Sequence, residues 1–326
     1  MTDTRHRTFF LLAVANALML PLLTLTMLTS THGATAKSKN GFNLDNASIS
    51  VREIHSGGPP KDGIPAINQP KFTSIGNAEF MHDEDRLLGL VINGEARAYP
   101  IRILDHHELV NDVIDDQHFV VSYCPLCGTG MVFSSNIGKG NWLTFGVSGL
   151  LYNSDVLLYD RNTDSLWSQI MKQSVVGKLK GAKLPQLPAL HTTFGHWIEK
   201  YPDSKILSTD TGFRRNYQRS PYKGYENSKR LWFQVSHKAP RKYHPKEQVL
   251  GIEINGGFKA YPFVELEKQN TAYFTDEVGG EKITVFWNEE SRTAYIESEN
   301  ELLASTIGFW FARFTFHPET EIFTAP

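Results

Sequence analysis

Cysteine is nearly absent: the 326-residue chain has two, Cys124 and Cys127. Charge excess is missing as well, since 33 Lys and Arg stand against 35 Asp and Glu for a net of −2. With no basic stripe, no helix-turn-helix and no RNA-binding signature, nothing points to a nucleic-acid partner. The Walker loop, G-x-G-x-x-G after a strand and H-E-x-x-H are all absent, which removes the readings those motifs carry. Gly146-Val147-Ser148-Gly149-Leu150 imitates a nucleophile elbow, but G-x-S-x-G needs glycine where Leu150 stands, so serine hydrolysis is unsupported. Long helical periods are scarce. Most of the chain reads as short strands separated by Gly, Asn and Asp, with helical exceptions at Asp105 to Asp112 and at Thr193 to Tyr201, the second opening on a threonine cap. The expected fold is mainly β with a few short helices (α+β), built from two divergent copies of a β-hairpin-based unit.

One long apolar run is present, at the start. Arg5, His6 and Arg7 precede an apolar stretch over residues 9–28, and Ala34-Thr35-Ala36 fits an A-x-A cleavage site. The stretch approaches the roughly 20 residues that span a bilayer. Residues 1–36 are therefore expected to be a signal peptide or an uncleaved signal-anchor, giving a periplasmic protein that is soluble or tethered to the inner membrane.

The copies are read from an ungapped match. Leu88-Gly89-Leu90-Val91-Ile92-Asn93-Gly94 runs over Leu250-Gly251-Ile252-Glu253-Ile254-Asn255-Gly256, and each copy continues to a Tyr-Pro pair, Tyr99-Pro100 and Tyr261-Pro262. Asn-Gly between alternating apolar runs is the strongest short-range hairpin signal. A weaker match lays Phe119–Tyr123 over Ile283–Trp287 and Tyr159–Thr163 over Phe316–Thr320. The resulting plan is a tether over 37–55, a first repeat with a helix-containing insert over 56–215, a connector over 216–245 and a degenerate second repeat over 246–326. Where the first copy has Cys124 and Cys127, the second has Asn288 and Ser291, so chemistry is expected in the first copy alone.

The cysteines stand in Tyr123-Cys124-Pro125-Leu126-Cys127-Gly128, between two apolar runs of strand character. Gly128 and Gly130 oppose the helix that follows C-x-x-C in thioredoxin-like proteins, so the pair is expected on a hairpin turn. A C-P-x-C-G turn of that kind resembles the metal-gripping knuckle of rubredoxins and zinc ribbons. One knuckle supplies two ligands, so another donor must come from elsewhere. His107 is the first choice and His106 its substitute, with Glu108, Asn111 and Asp112 as groups that orient the imidazole. Two sulfurs and a nitrogen suit zinc or copper. Thiol exchange and a structural bridge stay open, although closing so short a loop contributes only about 2 kcal/mol.

Several of these motifs recur together in one known family. Gly57-Gly58-Pro59-Pro60-Lys61-Asp62-Gly63-Ile64-Pro65, Arg97-Ala98-Tyr99-Pro100, His107-Glu108-Leu109-Val110-Asn111-Asp112, Tyr123-Cys124-Pro125-Leu126-Cys127-Gly128 and Tyr159-Asp160-Arg161-Asn162-Thr163-Asp164-Ser165-Leu166-Trp167-Ser168-Gln169 resemble the bacterial family catalogued as domain of unknown function 3179. The resemblance covers nearly everything after Ser56. It implies positions to examine and no reaction. His106, beside the family's H-E-x-x-N-D, is a departure that leaves open which imidazole faces the site.

Two functions follow. The first is an exported metal-binding or thiol-redox protein centred on Cys124, Cys127 and His107. The second is a binding module for a small molecule, with a structural disulfide and a pocket made by Lys61, Asp62, Asp160, Arg161 and Gln169. Its motivation is a polar run between core residues, in which Asp155, Asp160, Arg161 and Asp164 alternate with Leu157, Tyr159 and Trp167. An Asx-type turn is the plainer reading of that run.

Overall fold

The computed structural model describes residues 37–138 and 140–326. The expected leader and membrane tether lie outside the described residues. Among the described residues, no helix is long and apolar enough to cross a membrane.

The described residues are mainly β, with four seven-residue α-helices among them: α1 (Ile101–His107), α2 (Phe194–Lys200), α3 (Phe263–Gln269) and α4 (Trp310–Phe316). Arg86–Ile92 and Glu95–Pro100 form an antiparallel hairpin with Leu88 opposite Tyr99. Its turn residues Asn93 and Gly94 have φ of 50° and 81°, the successive positive values that match the twist of the flanking strands. Gln248–Ile254 and Gly257–Pro262 form a second hairpin, with Leu250 opposite Tyr261 and turn φ values of 49° and 79° at Asn255 and Gly256. Both hairpins end at Tyr-Pro, and the proline caps the next helix. Three antiparallel strands then follow in each half: Leu109–Ile114, Gln117–Cys124 and Thr129–Ser134 in the first, and Tyr273–Val278, Glu281–Asn288 and Thr293–Ser298 in the second.

Gly89 and Gly251, at matching places in the two hairpins, leave room for a bulky side chain. A Cβ on Gly89 would sit 2.3 Å from the Trp197 ring, and one on Gly251 would sit 2.9 Å from the Arg313 guanidinium.

Two expectations are corrected. Tyr159–Thr163 closes the strand Asp155–Asp160, whereas Phe316–Thr320 closes α4, so that part of the weaker match pairs unlike elements. The helix expected over Asp105 to Asp112 runs instead over Ile101–His107. Glu108 ends it with φ 58°, and Leu109–Ile114 is a strand in which Leu109, Val110 and Ile114 are buried. His107 and Asn111 therefore share no helix face.

The two halves meet in one eight-stranded sheet. The strands carrying the cysteine turn lie beside Thr306–Phe309, with Ile307 opposite Gly130 and Phe309 N donating to Cys127 O at 2.7 Å. A separate five-stranded sheet joins Ile54–Ser56, from before the first hairpin, to four strands inserted after the cysteine strands: Phe145–Tyr152, Asp155–Asp160, Leu166–Ser168 and Gln173–Val176. Its hairpin turn is what completes the site.

Candidate metal centre

Cys124 and Cys127 lie on a hairpin turn, as their flanking strands imply. Cys124 ends one strand opposite Thr129, Cys127 N donates to Cys124 O at 3.2 Å, and Gly128 takes φ 63°. Both thiols are free, which removes the structural disulfide. They are also fully packed, with Cys124 1% and Cys127 0% exposed. Facing them is the turn of the hairpin Phe145–Tyr152 and Asp155–Asp160. Asn153 and Ser154 take φ 53° and 67° there, and Ser154 O lies 3.4 Å from Cys127 Sγ and 3.8 Å from Cys124 Sγ.

Asp155 comes next in the chain, 1% exposed, and completes a triad. One donor atom from each of Cys124, Cys127 and Asp155 lies within 4.8 Å of the others. Asp155 Oδ2 accepts from Ile170 N at 3.1 Å, while Oδ1 is buried with no hydrogen-bond partner. An unsatisfied buried carboxylate oxygen costs about 1–3 kcal/mol or more, so its retention calls for an explanation.

The electrostatics sharpen the point. Burial raises the Cys124 thiol, raises Cys127 further, and pushes Asp155 up to about 7. Glu108, 7% exposed, is raised to about 8, chiefly by burial, with Asp155 and Asp105 adding repulsion. Its backbone is held in the strained φ 58° conformation by Glu108 N donating to Leu104 O at 2.7 Å and Tyr123 N donating to Glu108 O at 2.8 Å. Four acidic groups thus converge in the interior, and among the described residues no Lys or Arg forms an ion pair with Asp155 or Glu108. Water-poor surroundings keep such groups neutral unless a cation joins them.

Beside the turn is a pocket of about 200 Å³, whose wall includes Arg86, Tyr123, His191, Tyr222, Tyr225 and Glu226. Tyr222 bridges toward the centre, with its hydroxyl 3.5 Å from Glu108 Oε1. Three of the pocket residues hold buried polar atoms without partners: Arg86 Nε, His191 Nδ1 and the Tyr225 hydroxyl. The other Arg86 nitrogens go to backbone carbonyl oxygens, Nη1 to Ser291 at 2.6 Å and Nη2 to His191 at 2.7 Å.

Neither histidine joins the cysteines. His107 Nδ1 lies 2.7 Å from Pro65 O, and a carbonyl only accepts, so Nδ1 carries the proton and Nε2 accepts from the Tyr217 hydroxyl at 2.7 Å. No lone pair remains for a metal. His106 Nε2 donates to Arg219 O at 3.0 Å. The third donor is thus a carboxylate from the inserted sheet, because the short α1 turns both imidazoles toward the connector.

Asn111 and Asp112 tie strands together and orient no imidazole. Asn111 bonds both Phe145 N and Phe145 O at 2.8 Å, and Asp112 Oδ2 accepts from Arg97 and from the Tyr99 hydroxyl, each at 2.6 Å. Gln169 is buried, donating to Ser122 Oγ at 2.8 Å and accepting from Thr129 Oγ1 at 2.6 Å. Asp160 caps its own turn by accepting from Thr163 N at 2.6 Å and also accepts from Trp167 Nε1 at 2.9 Å, the Asx-type turn of the plainer reading. Lys61 pairs with Asp164 at 2.7 Å. These residues pin a loop and do not converge on the pocket expected of them.

Asp62 makes the loop's main tie, accepting from Arg161 Nη2 at 2.7 Å and Nη1 at 2.9 Å, and from the Tyr159 hydroxyl. Partial burial opposes its charge, but Arg161, Tyr159 and Lys61 outweigh that and hold the carboxyl below its ordinary 3.8. A pKa depressed by folding means stability that is complete above the unfolded value and is lost as pH falls through the folded one. Asp62→Asn is therefore expected to flatten the acid limb of the stability profile below about pH 4. Urea midpoints for both proteins at neutral pH and near pH 3 check this; equal acid sensitivity would show that the tie contributes nothing.

The sequence reading missed two features. Asp155 had a signal, since it sits in a polar run bracketed by core residues. The connector's charge had another: Glu226 is the only acidic residue between Arg214 and Lys246, a span with ten Lys and Arg counting its ends. Among comparisons with known proteins, the family described as "Protein of unknown function (DUF3179)" matches residues 61–304. No curated protein and no solved structure matches the chain.

Proposed function

The chain belongs to that family, which brings no reaction with it, and we propose from the site itself that the protein binds one divalent transition-metal ion through Cys124, Cys127 and Asp155. The observation that carries this reading is the partnerless Asp155 Oδ1, buried within 4.8 Å of two free, buried thiols. A cation converts the arrangement from four acids whose charged forms burial disfavours into a compensated centre. Two thiolates and a carboxylate suit zinc; the carboxylate disfavours copper(I), which selects soft ligands alone. Three protein donors leave a tetrahedral ion one open position, the pattern of zinc sites that act on a bound water or substrate. The pocket lined by Arg86, Tyr123 and His191 supplies room alongside for a small molecule. We place this centre in an exported, periplasmic protein, on the strength of the N-terminal charge and apolar run.

Thiol exchange is the lesser reading. Reactive cysteines sit in electropositive, partly exposed surroundings that lower their pKa, whereas Cys124 and Cys127 are buried among acids and raised.

Metal analysis of untagged protein tests the proposal. Close to one zinc per chain is expected, falling to background in the Cys124→Ser, Cys127→Ser double variant. Metal-free wild-type protein that takes up no zinc, cobalt or copper on titration would overturn it.

A further inference from the structure

The connector builds a second site, lined by residues other than those of the metal centre. Residues 208–247 contain no helix or strand, yet their path is fixed by named contacts. Lys246, 5% exposed, donates to Arg230 O at 2.8 Å and to Ser228 O, with its ammonium 3.7 Å from the centre of the Tyr225 ring. Ser236 N donates to Asn153 Oδ1 at 2.7 Å, and Trp310 Nε1 donates to Pro240 O at 3.1 Å. Between these anchors lies an open cavity of about 670 Å³. Its walls are apolar, from Leu231, Val235, Ala239, Pro240, Tyr243 and the buried Phe311.

The rim has the opposite character. Lys229, Lys238, Arg241 and Lys242 all line the cavity and are all exposed. Among the described residues, none of the first three forms an ion pair. Lys242 comes no nearer than 4.0 Å to Glu265, whose carboxylate is already taken by Lys268 at 3.2 Å and the Tyr243 hydroxyl at 2.9 Å. Four cations around one opening repel one another and raise the local concentration of anions. A volume of this size matches that of pockets for drug-sized ligands, and apolar walls exclude a bare inorganic anion as the fitting occupant.

We propose that this cavity binds an anionic amphiphile, taking the apolar chain between Leu231, Val235 and Phe311 and the charged head on the Lys238, Arg241 and Lys242 rim. Fatty acids, alkyl phosphates and anionic phospholipids share this chemistry, whether free or in a membrane surface. The proposal is independent of the metal centre.

The test uses the full chain with dodecyl phosphate below its micellar concentration, beside inorganic phosphate and dodecyltrimethylammonium as controls. Calorimetric titration is expected to give one dodecyl phosphate per chain, bound at least about tenfold more tightly than either control. The Lys238→Ser, Arg241→Ser, Lys242→Ser variant should lose about tenfold or more in affinity, consistent with the worth of each basic residue against an anionic head. Its metal content and melting temperature should match wild type, since all three side chains are exposed. Co-sedimentation with phosphatidylglycerol vesicles, compared between wild type and variant, distinguishes the sources: a rim-dependent fraction on vesicles assigns the ligand to a membrane, and none assigns it to a free amphiphile. Dodecyl phosphate binding no tighter than inorganic phosphate, or unchanged in the variant, would overturn the assignment.

Discussion

Asp155→Asn is expected to weaken zinc binding by more than about 100-fold, beyond the 10- to 100-fold range seen when a partner that merely orients a ligand is lost. The substitution keeps the shape of the side chain and removes the negative charge, leaving two thiolates and a weak amide oxygen. The metal-free protein should tolerate it. Asp155 is 1% exposed, its pKa is raised to about 7 and Oδ1 has no partner, so a neutral isostere relieves a cost. Two measurements then move in opposite directions: competition against a chromophoric chelator shows the affinity loss, while the melting temperature of metal-free variant equals or exceeds that of metal-free wild type. Excess zinc should raise the wild-type melting temperature far more than the variant's, because a ligand that binds only the folded state stabilises it in proportion to the logarithm of its saturation. Equal zinc affinity in the two proteins would remove Asp155 from the centre and with it the reason to prefer metal over thiol chemistry.

How far the sequence reaches depends on the distance over which each feature is encoded. The hairpins at Asn93-Gly94 and Asn255-Gly256 were legible because two residues with positive φ and two alternating apolar runs determine them locally. The cysteine turn was legible for the same reason. The third ligand was not, because the turn bearing Asp155 belongs to an inserted sheet, and nothing within the run Asn153-Ser154-Asp155 states which turn it will face. Proximity in sequence favoured His107, but α1 starts earlier than its polar residues imply. Pro100 sets its first turn and Glu108 ends it, so the imidazole swings to Pro65 and Tyr217. The resemblance to a family marked Lys61, Asp62, Asp160 and Arg161 as positions to examine, and in the structure they tie a loop rather than form a pocket. Their motif is satisfied by loop ties at Asp164, Asp62 and Thr163, whose energetics are those of partly exposed ion pairs and a capped turn.

Gly149→Ala is expected to destabilise the protein by about 3 kcal/mol or more, the largest effect of any single added methyl in the loop region. Gly149 sits at the bulge where the pairing of Phe145–Tyr152 with Asp155–Asp160 shifts register between Val147 and Leu150, and its φ is 69°. The glycine- and proline-rich loop lies directly on it: Gly57 N donates to Gly149 O at 2.8 Å, Asp62 N donates to Val147 O at 2.9 Å, and Asn40 Nδ2 lies 3.2 Å from both Ser148 O and Pro59 O. A Cβ at Gly149 would stand 2.1 Å from Pro59 O, a backbone atom with no rotamer to escape into. Gly149, which stands at a free position of the imitated nucleophile elbow, therefore serves the close approach of two backbones. Gly58→Ala provides the matched control. Gly58 also has a positive φ, 109°, but nothing lies within 4 Å of the position its Cβ would take, so only conformational strain of about 1–2 kcal/mol applies there. Denaturant midpoints for the two variants separate strain from collision. If Gly149→Ala and Gly58→Ala cost the same, the loop is not seated on the bulge, and the tie from Asp62 to Arg161 loses the backbone support that holds it beside the inserted sheet.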